Sequence, residues 1–186
     1  MRAFIAIEIS ETIRAELGRF IERLKPHARG VKWVDPAIIH MTLKFLGDVP
    51  DESVPEVVRV VRECTRGVAP FYFDVHGTGA FPDVRRPKVI FAAALDEAGS
   101  AAELARRLDE GMEALGFERE KRPFAAHLTL GRVREPRPLP ELARGLEACA
   151  KADFGRMRVE QIVLMQSTLT AAGPVYAPVE RVRLTL

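Results

Sequence analysis

The sequence predicts an α+β fold made of two similar halves. Segments with apolar residues at alternate positions, the period of a β-strand, are interspersed with segments that have the three-to-four-residue period of a helix. Each half contains a strand, a helix and then a strand that carries a His and a Thr. These two histidine strands are 87 residues apart (127 − 40), and no low-complexity linker separates the halves. Such a duplication sets the two strands side by side or facing each other across a cleft.

The first half begins with a buried strand, Arg2 to Glu8. A helix follows from an N-cap at Ser10 to about His27. We expect His27 itself to have only a structural or surface role. Two aromatic side chains, Trp33 and Phe45, are interpreted as core residues. The other predicted elements of this half are the strand Val31 to Val34, the strand Ile39 to Leu46, the helix Asp51 to Arg66 and the strand Pro70 to His76.

The second half repeats the pattern from a strong strand, Lys88 to Leu95. An Ala- and Leu-rich helix, Gly99 to Leu115, ends at Gly116 and precedes the strand Ala126 to Val133. The predicted elements after it are a shorter helix, Glu141 to Ala150, and two strands, Arg158 to Met165 and Ala177 to Leu184.

The histidine strands share the form His-apolar-Thr-Leu, at His40-Met41-Thr42-Leu43 and at His127-Leu128-Thr129-Leu130. Alternation sends the apolar residues to one face of the strand and the His and Thr to the other. An imidazole can carry a proton, and a hydroxyl can donate a hydrogen bond to an anion. Two copies suffice to move one proton off a nucleophile and another onto a leaving group. The alternative is two structural histidines on unrelated strands.

A third His-x-Thr, His76-Gly77-Thr78, is interpreted differently. Gly77 and Gly79 replace the apolar residues of the other two copies. We therefore expect a strand end that enters a loop, without a role in chemistry.

Composition narrows the class of protein. The net charge of +2 does not by itself indicate a nucleic-acid binder, but basic residues bracket the second motif and favour an anionic substrate. Cys64 and Cys149 are expected to be reduced, buried thiols. Without a recognisable signal peptide or membrane-spanning run, the chain is expected to be cytoplasmic. Asn is absent and charged residues are many, which suggests a heat-adapted source, although a GC-rich genome also enriches Arg and Ala.

The chemistry follows from what accompanies the motifs. There is no phosphate-binding G-x-x-x-x-G-K-[ST] loop, no carboxylate cluster near the motifs and no recognisable Ser or Cys nucleophile. Two His with hydroxyl donors suit metal-free acid–base attack on a phosphodiester, with the phosphate held by Thr42, Thr129 and Arg132. No cofactor is expected.

The sequence resembles the 2H phosphoesterase superfamily, which is named for paired H-x-T-x motifs. Within it, the chain is similar to the RNA 2′,3′-cyclic phosphodiesterases, also called 2′-5′ RNA ligases. The resemblance runs nearly end to end, through RAFIAIEI, VKWV, HMTLKFLGDV, GAFPDVRRPKVIF, EKRPFAAHLTLGRV and a C-terminal SxL…GPVY.

The resemblance implies a single domain over residues 1–186, with two pseudo-symmetric lobes of antiparallel sheet and outer helices around a central cleft. It makes His127 the general base, His40 the general acid, and Thr42 and Thr129 the hydroxyls that position the phosphate. It also places Arg132 on the phosphate and Phe124 against a nucleobase; the alternative for Phe124 is packing in the core.

The implied activity is metal-free hydrolysis of terminal 2′,3′-cyclic phosphates, on RNA ends or nucleotides, to 2′-phosphomonoesters. The alternatives are 2′-5′ ligation of tRNA-like RNA ends and a nucleotide- or RNA-binding module with little turnover. We expect a monomer without a membrane partner. Ala126 departs from the proline that is common before the second motif, a change that touches no reacting group.

Overall fold

The computed structural model describes all 186 residues, and the chain forms nine strands and four α-helices joined by loops and short 3-10 turns. In chain order these are β1 (Arg2–Glu8), α1 (Glu11–Leu24), β2 (Val31–Trp33), β3 (His40–Asp48), α2 (Val54–Thr65), β4 (Phe71–Phe81), β5 (Val89–Leu95), α3 (Ser100–Glu113), β6 (His127–Val133), α4 (Pro140–Ala148), β7 (Asp153–Val159), β8 (Gln161–Thr170) and β9 (Gly173–Arg183).

The strands form two antiparallel sheets, which confirms the predicted α+β class. The first sheet has the order β3-β1-β8-β9, and the second has the order β2-β6-β5-β4-β7. Each half of the chain supplies one histidine strand, paired with the strand that starts its repeat: β3 with β1, and β6 with β5. The two motifs thus lie in different sheets, at equivalent positions.

The helices pack on the apolar faces of the sheets. Helix α1 begins at Ser10, whose Oγ accepts a hydrogen bond from the backbone N–H of Ile13, and α1 packs against β7. Helix α3 packs against both α2 and β3. A continuous core of 42 buried residues draws on both sheets and all four helices. No helix has the length and apolar character needed to cross a membrane.

The predicted elements differ from the structure in the last third of the chain. The predicted strand Arg158 to Met165 is two strands, β7 and β8, which break at Glu160. Strand β9 begins at Gly173, earlier than predicted, because β8 and β9 form a hairpin that pairs as far as Thr170 with Gly173. Only two residues therefore connect β8 and β9, whereas the sequence predicts a longer loop between these strands.

Strand β4 corrects the interpretation of the third His-x-Thr. The strand continues through His76 to Phe81, so this copy lies within a strand rather than at its end. Gly77 has a φ of 84° and lies where the pairing of β4 with β5 shifts register. Glycine permits this bulge because a left-handed φ is strained for other residues.

Candidate active site

The two motif strands meet in space although they belong to different sheets. Strands β3 and β6 contact each other, and His40 and His127 are the first residues of these strands. Both histidines are half-buried, while Met41, Leu43, Leu128 and Leu130 are buried in the core. The predicted division into a polar and an apolar face is therefore present in both strands.

Both motif strands contain the same irregularity. The pairing of β1 with β3 skips Leu43, and the pairing of β5 with β6 skips Leu130, the equivalent residue of the repeat. Such a bulge reverses the alternation beyond it, because one residue has no partner on the neighbouring strand. The next residues, Lys44 and Gly131, are accordingly buried.

The bulges place Phe45 and Arg132 at equivalent positions on the face that carries the His and Thr residues. Both are exposed, Phe45 by 59%. The prediction that Phe45 is a core residue is therefore wrong. Its ring lies 6.2 Å from that of Phe4, which in turn stacks on His40. The first sheet thus offers an aromatic side chain where the second offers a cation.

Each imidazole is oriented by a backbone carbonyl. His40 Nδ1 lies 2.8 Å from the carbonyl oxygen of Ile38, and His127 Nδ1 lies 2.7 Å from that of Ala125. A carbonyl can only accept, so each Nδ1 carries the proton and donates it. Nε2 of each ring is left to take up or release a proton.

Aromatic rings surround both histidines. The Phe4 ring stacks on His40 with centroids 4.7 Å apart, and Tyr176 meets His40 edge-on at 5.2 Å. His127 meets Phe81 edge-on at 5.2 Å and lies 5.8 Å from Phe91. The sequence does not reveal these contacts, because they depend on pairing between distant strands.

Burial lowers the pKa of His40 below its ordinary value. The hydrogen bond to Ile38 acts in the opposite direction, and the positive charge of His127 lowers the pKa further. The electrostatic effect of one imidazole on the other shows that the two rings share one site. A second proton on the pair is disfavoured.

The hydroxyls of Thr42 and Thr129 are available to a ligand. Both residues are half-buried, and neither hydroxyl makes a hydrogen bond within the protein. By contrast, Thr78 of the third His-x-Thr donates to the carbonyl oxygen of Leu146 at 2.9 Å. The third copy therefore lacks the free donor that the other two copies present.

Arg132 reaches toward the first sheet. Its positive charge acts on Tyr176, where together with Arg2 it opposes the burial that raises the pKa of the phenol. Since Tyr176 contacts His40, the Arg132 guanidinium of the second sheet lies close enough to the first imidazole's surroundings to act on them electrostatically. No group of three or more His, Cys, Asp or Glu side chains is arranged to hold a metal ion.

The sequence model of a family described as LigT-like phosphoesterase matches the chain twice, over residues 7–91 and 94–176. The two matches begin 87 residues apart (94 − 7), the same spacing as between His40 and His127. The chain belongs to the LigT-like phosphoesterase family. This confirms the resemblance to the 2H phosphoesterases.

Members of the LigT-like family resemble the chain over its whole length. An RNA 2′,3′-cyclic phosphodiesterase of Methanothermobacter thermautotrophicus is 36% identical over 99% of both chains. A crystal structure of a Thermus thermophilus protein is 34% identical and superposes with a TM-score of 0.82 over 99% of this chain and 98% of that one. Escherichia coli LigT, crystallised with 3′-AMP, shares the fold at 22% identity, with a TM-score of 0.77 over 100% of this chain and 98% of that one.

The other residues of this LigT-like chain for which the sequence predicts a place or a role pack against the core or lie at the surface. Phe124 is half-buried and packs against the hydrophobic core. Trp33 is also half-buried against the core, as predicted. His27 is exposed, with Nδ1 3.6 Å from a carboxylate oxygen of Glu141, which agrees with a surface role. Both cysteines are free, but they are half-buried rather than fully buried.

Proposed function

We propose that this chain is an RNA 2′,3′-cyclic phosphodiesterase that opens terminal cyclic phosphates to 2′-phosphomonoesters. The observation that carries the proposal is the pair of imidazoles, each with Nδ1 bound to a carbonyl and Nε2 available for proton transfer. The curated relatives, which bear this name at up to 37% identity over most of the chain, support the same activity. Substrates are RNA ends or nucleotides that carry a 2′,3′-cyclic phosphate.

In the proposed mechanism, His127 is the general base and His40 the general acid. Nε2 of His127 takes a proton from water as the water oxygen forms a bond to phosphorus. The bond from phosphorus to O3′ breaks on the opposite side, and Nε2–H of His40 protonates the leaving oxygen. The phosphate remains on O2′; His127 has gained a proton from water and His40 has given one to the 3′ oxygen, and proton exchange with solvent then restores neutral His127 and protonated His40.

Three further side chains stabilise the charge that develops on phosphorus. The free hydroxyls of Thr42 and Thr129 donate to non-bridging oxygens, and the Arg132 guanidinium neutralises negative charge. Bound phosphate also favours the protonated form of His40, since a nearby anion raises the pKa of an imidazole. The low pKa of His40 in the free protein is thus compatible with its role as the acid.

Ligation of RNA ends through a 2′-5′ bond would use the same groups in the reverse direction. No contact or charge in the structure favours that direction over hydrolysis. A binding module would not need two titratable groups held with Nε2 free. We therefore propose hydrolysis.

We further propose that residues 1–186 act as one domain, as a monomer and in the cytoplasm. The continuous core that joins both sheets and all helices supports the single domain. The two free cysteines are compatible with a reducing compartment.

The decisive experiment is hydrolysis of 2′,3′-cyclic AMP by the purified protein in excess EDTA. Phosphorus NMR of the product should show 2′-AMP. A 3′-phosphate product would mean that the substrate binds in the opposite sense. Activity that EDTA abolishes and a divalent ion restores would contradict the metal-free mechanism, and absence of turnover on both 2′,3′-cyclic AMP and an oligoribonucleotide with a 2′,3′-cyclic end would contradict the function.

A further inference from the structure

Eight basic residues form one continuous surface beside the candidate active site. They lie in three segments, 29–32, 85–88 and 132–137, which are distant in the sequence but joined by hydrogen bonds. The backbone N–H of Arg134 donates to the carbonyl oxygen of Gly30 at 3.1 Å, and the N–H of Val133 donates to the carbonyl oxygen of Lys88 at 2.9 Å. We call this the cationic surface; its members are Arg29, Lys32, Arg85, Arg86, Lys88, Arg132, Arg134 and Arg137.

Two side-chain hydrogen bonds hold the same segments together. Arg137 donates to the carbonyl oxygen of Arg29 at 3.2 Å, and Arg86 Nε donates to that of Pro136 at 3.3 Å. These contacts leave the positive charges unneutralised, since a carbonyl carries no net charge. The eight side chains are all exposed.

No carboxylate forms an ion pair with any of the eight residues. Basic residues on the helices behave differently: Arg59 and Arg106, for example, each pair with two glutamates of their own helix. Within the three segments the only acidic residue is Glu135, against eight basic ones. Asp83, beside them, uses one carboxylate oxygen to accept from the backbone N–H groups of Arg85 and Arg86.

Two members of the surface oppose each other directly. Lys32 on β2 and Arg132 on β6 are cross-strand partners, so their side chains leave the same face of the sheet. Like charges at opposed positions destabilise a sheet unless an anion lies between or beside them. Arg132 shares this face with His127 and Thr129, and the surface is therefore continuous with the candidate active site.

We propose that the cationic surface binds the phosphates of the RNA strand that leads to the cyclic end. This inference rests on the proposed function. A single 2′,3′-cyclic nucleotide brings one phosphate with one negative charge, which Arg132 and the threonine hydroxyls suffice to bind. Eight cations without an ion-pair partner exceed what one phosphate can neutralise, which favours a ligand with a charge at every nucleotide; contacts to phosphates alone are independent of base sequence.

The test compares two substrates that share the reacting group. One is 2′,3′-cyclic AMP, and the other is a single-stranded oligoribonucleotide of about ten nucleotides with a 2′,3′-cyclic end. The variant is Arg85→Ala/Arg134→Ala, because neither side chain makes a hydrogen bond or an ion pair within the protein. The control is Lys151→Ala, an exposed, unpaired lysine just before β7 at the opposite edge of the same sheet.

We expect the double variant to lose about tenfold in kcat/KM for the oligoribonucleotide, mostly through KM, and less than about twofold for cyclic AMP. The slope of log kcat/KM against log salt should become shallower by about 0.7 for each cation removed. Lys151→Ala should match the wild type on both substrates.

Other outcomes separate this inference from the function on which it rests. If the wild type hydrolyses neither substrate, the proposed function fails. If it hydrolyses both but the double variant keeps wild-type kcat/KM and salt dependence on the oligoribonucleotide, the RNA surface is wrong. If the double variant keeps wild-type activity on the oligoribonucleotide but no longer binds phosphatidylserine vesicles that the wild type binds, the surface binds an anionic membrane, and the RNA proposal is overturned.

Discussion

His40 and His127 occupy equivalent positions of the repeat but differ in their surroundings. Phe4 covers one face of the His40 ring, and Tyr176 closes its edge. We expect His40→Ala and His127→Ala each to lower kcat by at least ~10²-fold, because each removes the proposed general acid or general base. Thr42→Ala or Thr129→Ala should cost less, since each removes one donor to the phosphate.

His76→Ala is the matched control for this series. His76 belongs to a His-x-Thr whose threonine is already bonded to Leu146. The variant should hydrolyse 2′,3′-cyclic AMP at nearly the wild-type rate. A loss as large as that of His127→Ala would contradict the exclusion of the third copy.

The pKa of His40 can be measured by following its ring protons in an NMR titration. In the free protein it should lie below the ordinary value of about 6.5, chiefly because the ring is buried. In His127→Ala the pKa should rise, since the positive charge that opposes protonation of His40 is removed. A pKa at or above 6.5 in the wild type, or no change in the variant, would contradict this account.

Two phenylalanines compete for the role of nucleobase platform. Phe124, which the resemblance indicates, packs against the core, whereas Phe45 is exposed on the face of its strand that carries His40 and Thr42. If Phe124 stacks on the base, Phe124→Leu should raise KM for cyclic AMP several-fold while Phe45→Leu leaves it unchanged. If the effects are reversed, the platform is Phe45, at the position equivalent to Arg132. Leu keeps the apolar bulk of either site, so that stability is little affected.

At the scale of elements, the bulges separate what the sequence predicts from what it does not. Alternation within a strand is a local pattern, so the strands and the His-Thr face could be predicted from Met41, Leu43, Leu128 and Leu130. Strict alternation also puts Phe45 and Arg132 on the core face. The bulges at Leu43 and Leu130 reverse this, and a bulge is defined by the neighbouring strand. Alternation therefore misplaces Phe45, and Arg132 could be assigned only from its closeness to the motif and from the resemblance.

The bulge at Leu43 also creates the buried ion pair of the molecule. Lys44 is only 1% exposed, and its Nζ donates to Asp109 of α3 and to the carbonyl oxygen of Glu118, both at 2.6 Å. Asp109 also accepts from the backbone N–H of Glu120 at 3.0 Å and from Arg119. The first motif strand is thus tied to the segment that leads into the second.

We expect Asp109→Ala to lower the free energy of unfolding, measured by urea denaturation, by about 3 kcal/mol. The substitution leaves the buried Lys44 ammonium without its carboxylate partner. Glu103→Ala, which breaks exposed pairs on the same helix, should have a much smaller effect. Lys44→Met in the Asp109→Ala background should recover much of the loss, since it removes the buried charge. If the double variant is no more stable than Asp109→Ala, the ion pair does not explain the loss.

We expect low pH to weaken the buried ion pair between Lys44 and Asp109. Burial opposes ionisation of Asp109, but hydrogen bonds from Lys44, from the backbone of Glu120 and from Arg119 together hold its pKa below the ordinary range. A carboxyl with a lowered pKa stabilises the fold above its unfolded-state pKa and loses this contribution as pH falls through the folded value. The stability difference between wild type and Asp109→Ala should therefore persist at neutral pH and narrow in acid.

At the scale of the whole molecule, the sequence indicates the repeat but not the distribution of charge. The net charge of +2 is the excess of 28 Lys and Arg over 26 Asp and Glu, and it does not show that the helices pair most of their cations while the cationic surface pairs none. Arg29 and Lys32 join Arg85 and Arg134 only through strand pairing and loop contacts between segments distant in the sequence. Arg119 and Lys121, which also bracket the second motif, are instead neutralised by acidic neighbours. Pairing of distant segments decides which charges face a ligand.

The two sheets together bring an imidazole each to one cleft, and this requires a mixed protonation state. In the proposed mechanism His127 must be neutral to accept a proton and His40 charged to donate one, so the rate should be bell-shaped in pH. The limbs belong to the coupled pair, because the charge of His127 lowers the pKa of His40.

Substrate should move these limbs in a defined direction. The phosphate anion favours protonated imidazole, so the limbs of kcat, which reports the enzyme–substrate complex, should lie at higher pH than those of kcat/KM, which reports the free enzyme. Initial rates on 2′,3′-cyclic AMP, with a solvent isotope effect to show that proton transfer limits the rate, provide the test. A flat profile would exclude proton transfer by the two histidines, and limbs of kcat at lower pH than those of kcat/KM would contradict the expected effect of the phosphate.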